Sequence, residues 1–413
     1  MSLHLTNRWA VFVLTSVFFL LSQFYRASMA VISSDLLRDL NLNASDLSLL
    51  SSAFFYVFAL AQIPLGLTLD RFGPRLTMSV LSLLGVGGAL CFAWAGSLGM
   101  ALTARILLGL GMACNLMGPF KLLTLWFGPA QFASLTTIIF SIGAAGSIVA
   151  SSPLVALVQW VGWRWAFTLI AAFHALLTGV FFLCVRDRPP SSQDVHPGPD
   201  RSELFHGLRL LFRTREYWLI SLGTFFRYGI FAAVQTLWAG PYLMHGVGLS
   251  PMQAGNIILA LNLAFIIAGP VCGAFSDRIQ RRKGVILAGL LGMGIILLAL
   301  SLQSRQTSLF TFVLLFASFG VAGSTGGIMY THIKERMPVH LAGTAMTGIN
   351  LFTMFGAAFF VHGLGFLMHK VYAHEALSLT AFRLSFLLCA GGMAVVFVLY
   401  LFTREGKITD NST

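Results

Sequence analysis

Long apolar runs divided by short polar breaks set the pattern of this chain. They cover 9–34, 47–69, 76–96, 99–122, 131–158, 163–185, 217–244, 251–273, 284–303, 308–332, 342–368 and 380–403. A helix needs about 20 apolar residues to cross the hydrocarbon core of a bilayer, and each run is about that long. In lipid, every backbone amide and carbonyl must be satisfied within the segment or within a closed barrel. Barrel strands alternate over about 10 residues, whereas these runs are continuously apolar. The pattern predicts an all-α integral membrane protein with twelve transmembrane helices and the lipid bilayer as its solvent.

Composition agrees with the pattern. Of 413 residues, 57% are hydrophobic and 10% charged, with a mean hydropathy of +0.83. Soluble chains carry about 25% charged residues. The formal charge of +12 could suggest nucleic acid. The basic residues, however, lie in short runs between apolar segments, as topology signals do, and no nucleic-acid partner is expected. Taking the N-terminus as inside, the outward loops hold only Arg38, Arg164, Arg305, Lys370 and Arg383, and the inward loops hold most of the rest. That bias predicts both termini in the cytoplasm. The first run, Trp9 to Ile32, is too long for the core of a cleaved signal peptide, so it is expected to stay as helix one. Cys91, Cys114, Cys184, Cys272 and Cys389 all lie in apolar segments and are expected to be free thiols.

One long polar stretch divides the helices six and six. The expected organisation is an N-tail over 1–8, a six-helix bundle over 9–186, a linker over 187–216, a second bundle over 217–404 and a C-tail over 405–413. Asp200 with Glu203 has the form of a capping box. It would open a helix with Leu204, Phe205, Leu208, Leu211 and Phe212 set against Arg209, Arg213 and Arg215. The segment is either an amphipathic helix on the inner membrane surface or a loose linker.

A repeat links the two sets of helices. Gly66-Leu67-Thr68-Leu69-Asp70-Arg71-Phe72-Gly73-Pro74-Arg75 follows helix two, and Gly273-Ala274-Phe275-Ser276-Asp277-Arg278 follows helix eight, 207 positions later. Leu42 and Asn43 align with Leu249 and Ser250 at the same offset. Repetition at half-chain spacing marks two parallel, pseudo-symmetric halves. The Gly-x-x-x-Asp-Arg-x-Gly-x-Arg loop resembles the signature of the major facilitator superfamily, in a second copy that lacks a counterpart of Gly73. Arg105-Ile106-Leu107-Leu108-Gly109-Leu110-Gly111 and Gly162-Trp163-Arg164-Trp165-Ala166-Phe167 are similar to two further patterns of that family. The resemblance spans the chain. It implies two six-helix bundles, alternating access to a central site, no cofactor and a monomer. By the same resemblance, Gly66, Asp70, Arg71, Arg75, Gly273, Asp277 and Arg278 form an inner-gate latch, as against a static anchor; Arg105 and Gly109 are structural.

Small residues add two packing expectations. Gly66 and Gly273 should admit a close neighbouring helix. Ser141, Gly143, Gly146, Ala150 and Pro153 on helix five should permit close contact with the other half. Gly240-Pro241 should bend or break helix seven, as a hinge or as a plain kink.

Charge inside the membrane carries the chemistry, at roughly 2.5–3.5 kcal/mol per residue on insertion scales. Every acidic residue falls in a loop or at a helix end, whereas Arg26, Arg105 and Arg227 lie within helices. Arg26 shares a polar stripe with Ser22, Gln23 and Ser33, flanked by Tyr25; Arg227 belongs with Ser221, Thr224, Tyr228 and Gln235. Two guanidiniums facing one interior would make an anion site, since their planar forks suit carboxylate or phosphate. This is similar to the organic-anion and organic-phosphate branches of the family. The repeat is approximate here: Arg26 aligns with Ala233, about 9 Å along a helix axis from Arg227. Snorkelling for Arg26 and backbone pairing for Arg227 are the plainer readings. Trp238 and Asn350, with Asn115, Asn256 and Asn262, complete the candidate lining, although a lone membrane Asn more often bonds a neighbouring helix. His174 and His362 are expected to be packed and neutral, and Lys121 to snorkel.

With no titratable carboxylate at mid-membrane, exchange or facilitated movement is expected ahead of proton symport, with Asp35 the nearest exception. The sequence holds no His-Glu-x-x-His, Asp-rich metal motif or Gly-x-Ser-x-Gly, which argues against a membrane enzyme. A channel would not need matched gate loops. Amino acids or small peptides are the alternative substrates, with Arg26 gripping a carboxylate. Short loops suit a bacterial inner membrane.

Overall fold

A computed structural model describes residues 8–127, 129–187, 211–337, 342–373 and 375–405. Most of these residues are helical, and no strand occurs among them. The chain divides into two compact units, Met1–Gly198 and Pro199–Thr413, at a boundary inside the polar stretch 187–216. The expected capping box at Asp200 and Glu203, and the helix it would open up to residue 210, lie outside the described residues.

The N-terminal unit contains α1 (Arg8–Ala27), α2 (Met29–Asp39), α3 (Ala44–Ala93), α4 (Leu98–Met112), α5 (Met117–Trp126), α6 (Pro129–Val149) and α7 (Ser152–Cys184). Both long helices turn at a glycine in the left-handed region, α3 at Gly73 (φ 76°) and α7 at Gly162 (φ 78°). They therefore divide into 44–72 and 74–93, and 152–161 and 163–184, close to the predicted boundaries. The predicted helix 131–158 is interrupted where α6 gives way to α7. Pro153 stands in the first turn of α7, where its missing N–H is tolerated. The runs predicted as 9–34 and 99–122 are likewise each broken once, between α1 and α2 and between α4 and α5.

The C-terminal unit begins with α8 (Arg215–Ala233), which continues through two π-helical stretches, Val234–Trp238 and Tyr242–Val247, joined by Ala239–Pro241. Gly240-Pro241 thus widens the helix where a bend or break is predicted from sequence. It is followed by α9 (Pro251–Ile279), α10 (Arg282–Ser301), α11 (Leu309–Ser324), α12 (Gly326–Glu335), α13 (Ala342–Val371) and α14 (Leu379–Leu401). Eleven helices among the described residues are long and apolar enough to cross a membrane, and Ile138–Val149 is a shorter apolar one. Ile267 and Leu176, 67% and 65% exposed, typify faces that water would not tolerate.

The halves repeat their caps. Asn43 accepts from the Asp46 N–H at 2.9 Å while the Asp46 carboxylate accepts from the Asn43 N–H at 3.1 Å. Ser250 and Gln253 do the same at 3.3 and 3.0 Å. Each device ties down the start of the second helix of its half, where the first-turn amides otherwise lack partners.

Close packing repeats too. A Cβ on Gly109 would stand 2.6 Å from the Phe54 carbonyl oxygen, and Gly320 lies equally hard against that of Leu261, 207 positions after Phe54. Gly146 touches the Leu20 carbonyl and Gly143 the Phe19 ring, so these two glycines of α6 serve α1 of their own half. This corrects the expectation that they face the other half. Gly356 on α13 meets the Phe225 carbonyl of α8 in the same way. Gly66 and Gly273 have no heavy atom within 4 Å of where a Cβ would stand. The close approach predicted there is absent among the described residues.

Candidate functional site

Arg26 sits at the end of α1, 7% exposed. Its Nη2 donates to Ser22 Oγ at 3.4 Å, and its guanidinium lies over the Phe58 ring at 4.3 Å and near Phe54 at 5.9 Å. It is therefore buried in a phenyl cradle on α3 and does not snorkel to the surface. Gln23 is half-buried on the same helix. Tyr25 departs from its predicted place beside Arg26. It is fully buried, 6.0 Å from the His174 ring of α7, in the packed interior of the half. Adjacent residues on a helix point about 100° apart, and this separates the two side chains.

Arg105 is the bolt of the same half. Fully buried, it donates from Nε to the Leu50 carbonyl at 3.1 Å and from Nη1 to the Tyr25 carbonyl at 3.0 Å, and stacks 5.0 Å from Phe54. One guanidinium so ties α4 to α3 and α1. Asn115 acts similarly, donating to the Phe18 carbonyl at 3.3 Å.

Arg227 differs. It is 4% exposed, its Nε has no partner, and among the described residues its guanidinium makes neither a hydrogen bond nor an ion pair. It rests against Gly326, the first residue of α12, where any larger residue would collide with it. Tyr228 and Tyr330 lie within electrostatic range. The Tyr330 hydroxyl is 3.1 Å from Asn350 Oδ1 and 3.2 Å from Thr353 Oγ1. Gln235 Nε2 donates to Asn262 Oδ1 at 2.6 Å, joining α8's π-helical stretch to α9. Trp238 is a core anchor rather than a lining wall: 1% exposed, it donates to the Val361 carbonyl at 3.1 Å. Asn256, in contrast, is exposed. Tyr330 and Thr353 escaped the sequence reading. The signal for them was present: a tyrosine inside an apolar run, and a hydroxyl three residues after Asn350.

At the signature loop, Arg75 is held by the far end of its own half. Its N–H donates to Asp187 Oδ1 at 2.7 Å, and its guanidinium donates to the Phe182 carbonyl at 2.9 and 2.7 Å. Asp187 so accepts at the N-terminus of the helix starting at Pro74. The Asp70 side chain lies outside the described residues, and Arg71 is exposed beside Phe72. In the second copy, Asp277 pairs with Arg282, which also reaches Glu335 at 3.3 Å. Arg278 is exposed, so Arg282, 207 positions after Arg75, is the second copy's working arginine. Lys283 repeats the Arg75 arrangement: its N–H donates to Glu405 at 3.0 Å and its ammonium to the Leu401 and Thr403 carbonyls.

The opposite end of the N-terminal half explains the Gly162–Phe167 motif. Gly162 turns the chain, Trp163 Nε1 donates to Asp39 Oδ2 at 2.8 Å, and Arg164 caps α3 through the Ala93 and Ala95 carbonyls at 3.2 and 2.7 Å. Trp165 meets Trp94 edge-on at 5.5 Å. The Trp163 hydrogen bond, then Arg38, hold the Asp39 carboxyl below the usual aspartate range. Burial pushes Asp35 up, against the pull of Arg38 at 3.2 Å.

Comparison with known proteins places this architecture. The Major Facilitator Superfamily profile matches residues 13–239 and 220–413. The probable nitrate/nitrite transporter NarK2 of Mycobacterium tuberculosis is 29% identical over 327 residues, covering 77% of this chain and 78% of its own. The probable sulfoacetate transporter SauU of Cupriavidus necator is 25% identical over 409 residues, covering 92% and 91%. A bacterial homologue of the human lysosomal transporter Spinster, inward-facing and unoccupied, matches with a TM-score of 0.79 at 17% identity, over 95% of this chain and 96% of that one, a likeness of fold alone. This chain belongs to the Major Facilitator Superfamily, as a multi-pass integral-membrane transporter of small solutes and not an enzyme.

Proposed function

We propose that the protein carries a small organic or inorganic anion across a bacterial inner membrane by alternating access, with Arg26 and Arg227 taking the anion's charge. The observation that carries this reading is Arg227: a guanidinium 96% withdrawn from solvent that no protein group neutralises among the described residues. Burying an uncompensated charge is strongly unfavourable, so such a site is poised for a counter-ion. Relatives named for nitrate/nitrite and for sulfoacetate transport support an anionic substrate. The pairs Arg75–Asp187 and Asp277–Arg282–Glu335 supply the latch of each half in this reading. Exchange or facilitated movement is the coupling mode.

The test is uptake by proteoliposomes. Nitrate, sulfoacetate, glucarate, an amino acid and xylose are offered to the wild type and to Arg26→Gln and Arg227→Gln. Anions are carried, and each variant loses roughly tenfold or more in kcat/KM, as expected for a lost charge-assisted contact. Transport of xylose alone, or full anion transport by the double variant, would remove the reading. Loss of pH-gradient drive in Asp35→Asn would replace exchange with proton symport.

A further inference from the structure

Proton counting around Tyr330 takes the site further. Thr353 Oγ1 donates its single proton to the Ile349 carbonyl at 2.8 Å, so it can only accept from Tyr330. The Tyr330 hydroxyl has one proton, and Asn350 Oδ1 at 3.1 Å and Thr353 Oγ1 at 3.2 Å compete for it. With its oxygen turned to Tyr330, Asn350 directs its amide NH2 away from the pair, and that nitrogen bonds no described residue. Turned over by 180°, the carboxamide would donate to Tyr330, Tyr330 to Thr353, and Thr353 to the backbone, with the Asn350 oxygen directed away. The half-buried carboxamide therefore has two hydrogen-bonded states, one presenting donors and one presenting an acceptor.

Arg227 decides between them. It rests against Gly326, one turn before Tyr330 on α12, is 4% exposed and makes no hydrogen bond among the described residues. A positive charge repels the amide hydrogens and attracts the amide oxygen until an anion arrives; an anion reverses both preferences.

We infer that Asn350 is a specificity-determining residue of the C-terminal half: with an oxyanion on Arg227 it presents its NH2 as a second donor, and Tyr330 is the positioning residue that holds it so. This rests on the anion reading above and adds what that reading lacks. With the anion seated, the subsite offers donors alone, which fits a carboxylate, sulfonate or nitrate group.

The experiment measures KM and kcat for sulfoacetate and nitrate in proteoliposomes of the full-length protein. Tyr330→Phe removes the hydroxyl with little change of shape, so KM rises about five- to tenfold at unchanged kcat. Asn350→Asp replaces the donor by a like-charged acceptor and raises KM by about a hundredfold or more. Thr353→Val leaves the Tyr330 proton to Asn350 alone, so KM is unchanged or falls, whereas a merely structural role would raise it along with Tyr330→Phe. An unchanged KM in Tyr330→Phe or Asn350→Asp, or a rise in Thr353→Val, overturns the inference. Arg227→Gln is measured beside them. If it alone abolishes transport, the anion reading survives without the carboxamide; if it has no effect, the anion reading itself falls.

Discussion

At the signature loops, the N-terminal half holds Arg75 by Asp187 and the Phe182 carbonyl, and the C-terminal half holds Lys283 by Glu405 and the Leu401 and Thr403 carbonyls. The basic residue differs, the acid differs, and the spacing between them differs. In both, the last helix of the half lends its carbonyl end to a cation, and the acid just after it accepts from that cation's own N–H. Helix ends bring unpaired carbonyls and unpaired amides in any sequence, and those groups have to be satisfied. Duplication has kept the hydrogen bonds and let the letters drift.

The halves diverge inside. Arg26 lies among phenyl rings; Arg227 has two tyrosines in electrostatic range, and one of them, Tyr330, bonds an asparagine and a threonine. The N-terminal half also bolts three helices through Arg105, and α11 of the C-terminal half carries no arginine.

Removing that bolt is the largest change that tests the comparison. Arg105→Leu removes two charge-assisted hydrogen bonds, to the Leu50 and Tyr25 carbonyls, from an apolar interior, at about 1–3 kcal/mol each. Thermal unfolding in detergent should show a loss of that order; a neutral result would make the bolt ornamental. Next come Gly146→Ala and Gly356→Ala, each setting a methyl against a backbone carbonyl. Both should destabilise by about 1–3 kcal/mol, and a harmless change in one alone would break the equivalence of the two helix pairs. Cutting the clasps is smaller still. Asp187→Ala and Glu405→Ala should each lose about 1 kcal/mol, the usual worth of an N-terminal cap, while Asp187→Asn keeps an acceptor and loses less.

The smallest effect is a pH dependence confined to the N-terminal half. Asp39 titrates below the ordinary value near 3.9 because Trp163 donates to its charged form. Its folded pKa is depressed, so the stabilisation is present above that ordinary value and is lost as pH falls through the folded one. Trp163→Phe should move acid unfolding to higher pH. An unshifted acid limb in a pH-resolved melt would dismiss the contribution.

The sequence disclosed periodicity and repetition well. The apolar runs located the helices, and one offset of 207 found the paired loops, whose caps at Asn43 and Ser250 then proved alike. Pairings over distance stayed hidden. Nothing local ties Asp187 to Arg75, 112 positions away, or shows that Gly143 faces Phe19 and not the other half. Rotation about a helix axis is as poorly legible: Tyr25 points into the packed interior, away from its neighbour Arg26, and Trp238 turns into the core. Tyr330 does not stand out locally, since a single tyrosine in an apolar run is commonplace; its value comes from partners on another helix.

Gln280 gives the second loop a constraint that the first lacks. It turns the chain at φ 53°, near where Gly73 does so in the other half, and its carboxamide bonds the Asp277 carbonyl at 2.7 Å. A left-handed residue with a side chain is strained by roughly 1–2 kcal/mol, which that local bond offsets only in part. Natural variation at this position should therefore run narrowly, through glycine, asparagine and glutamine, and stop at valine, isoleucine and threonine.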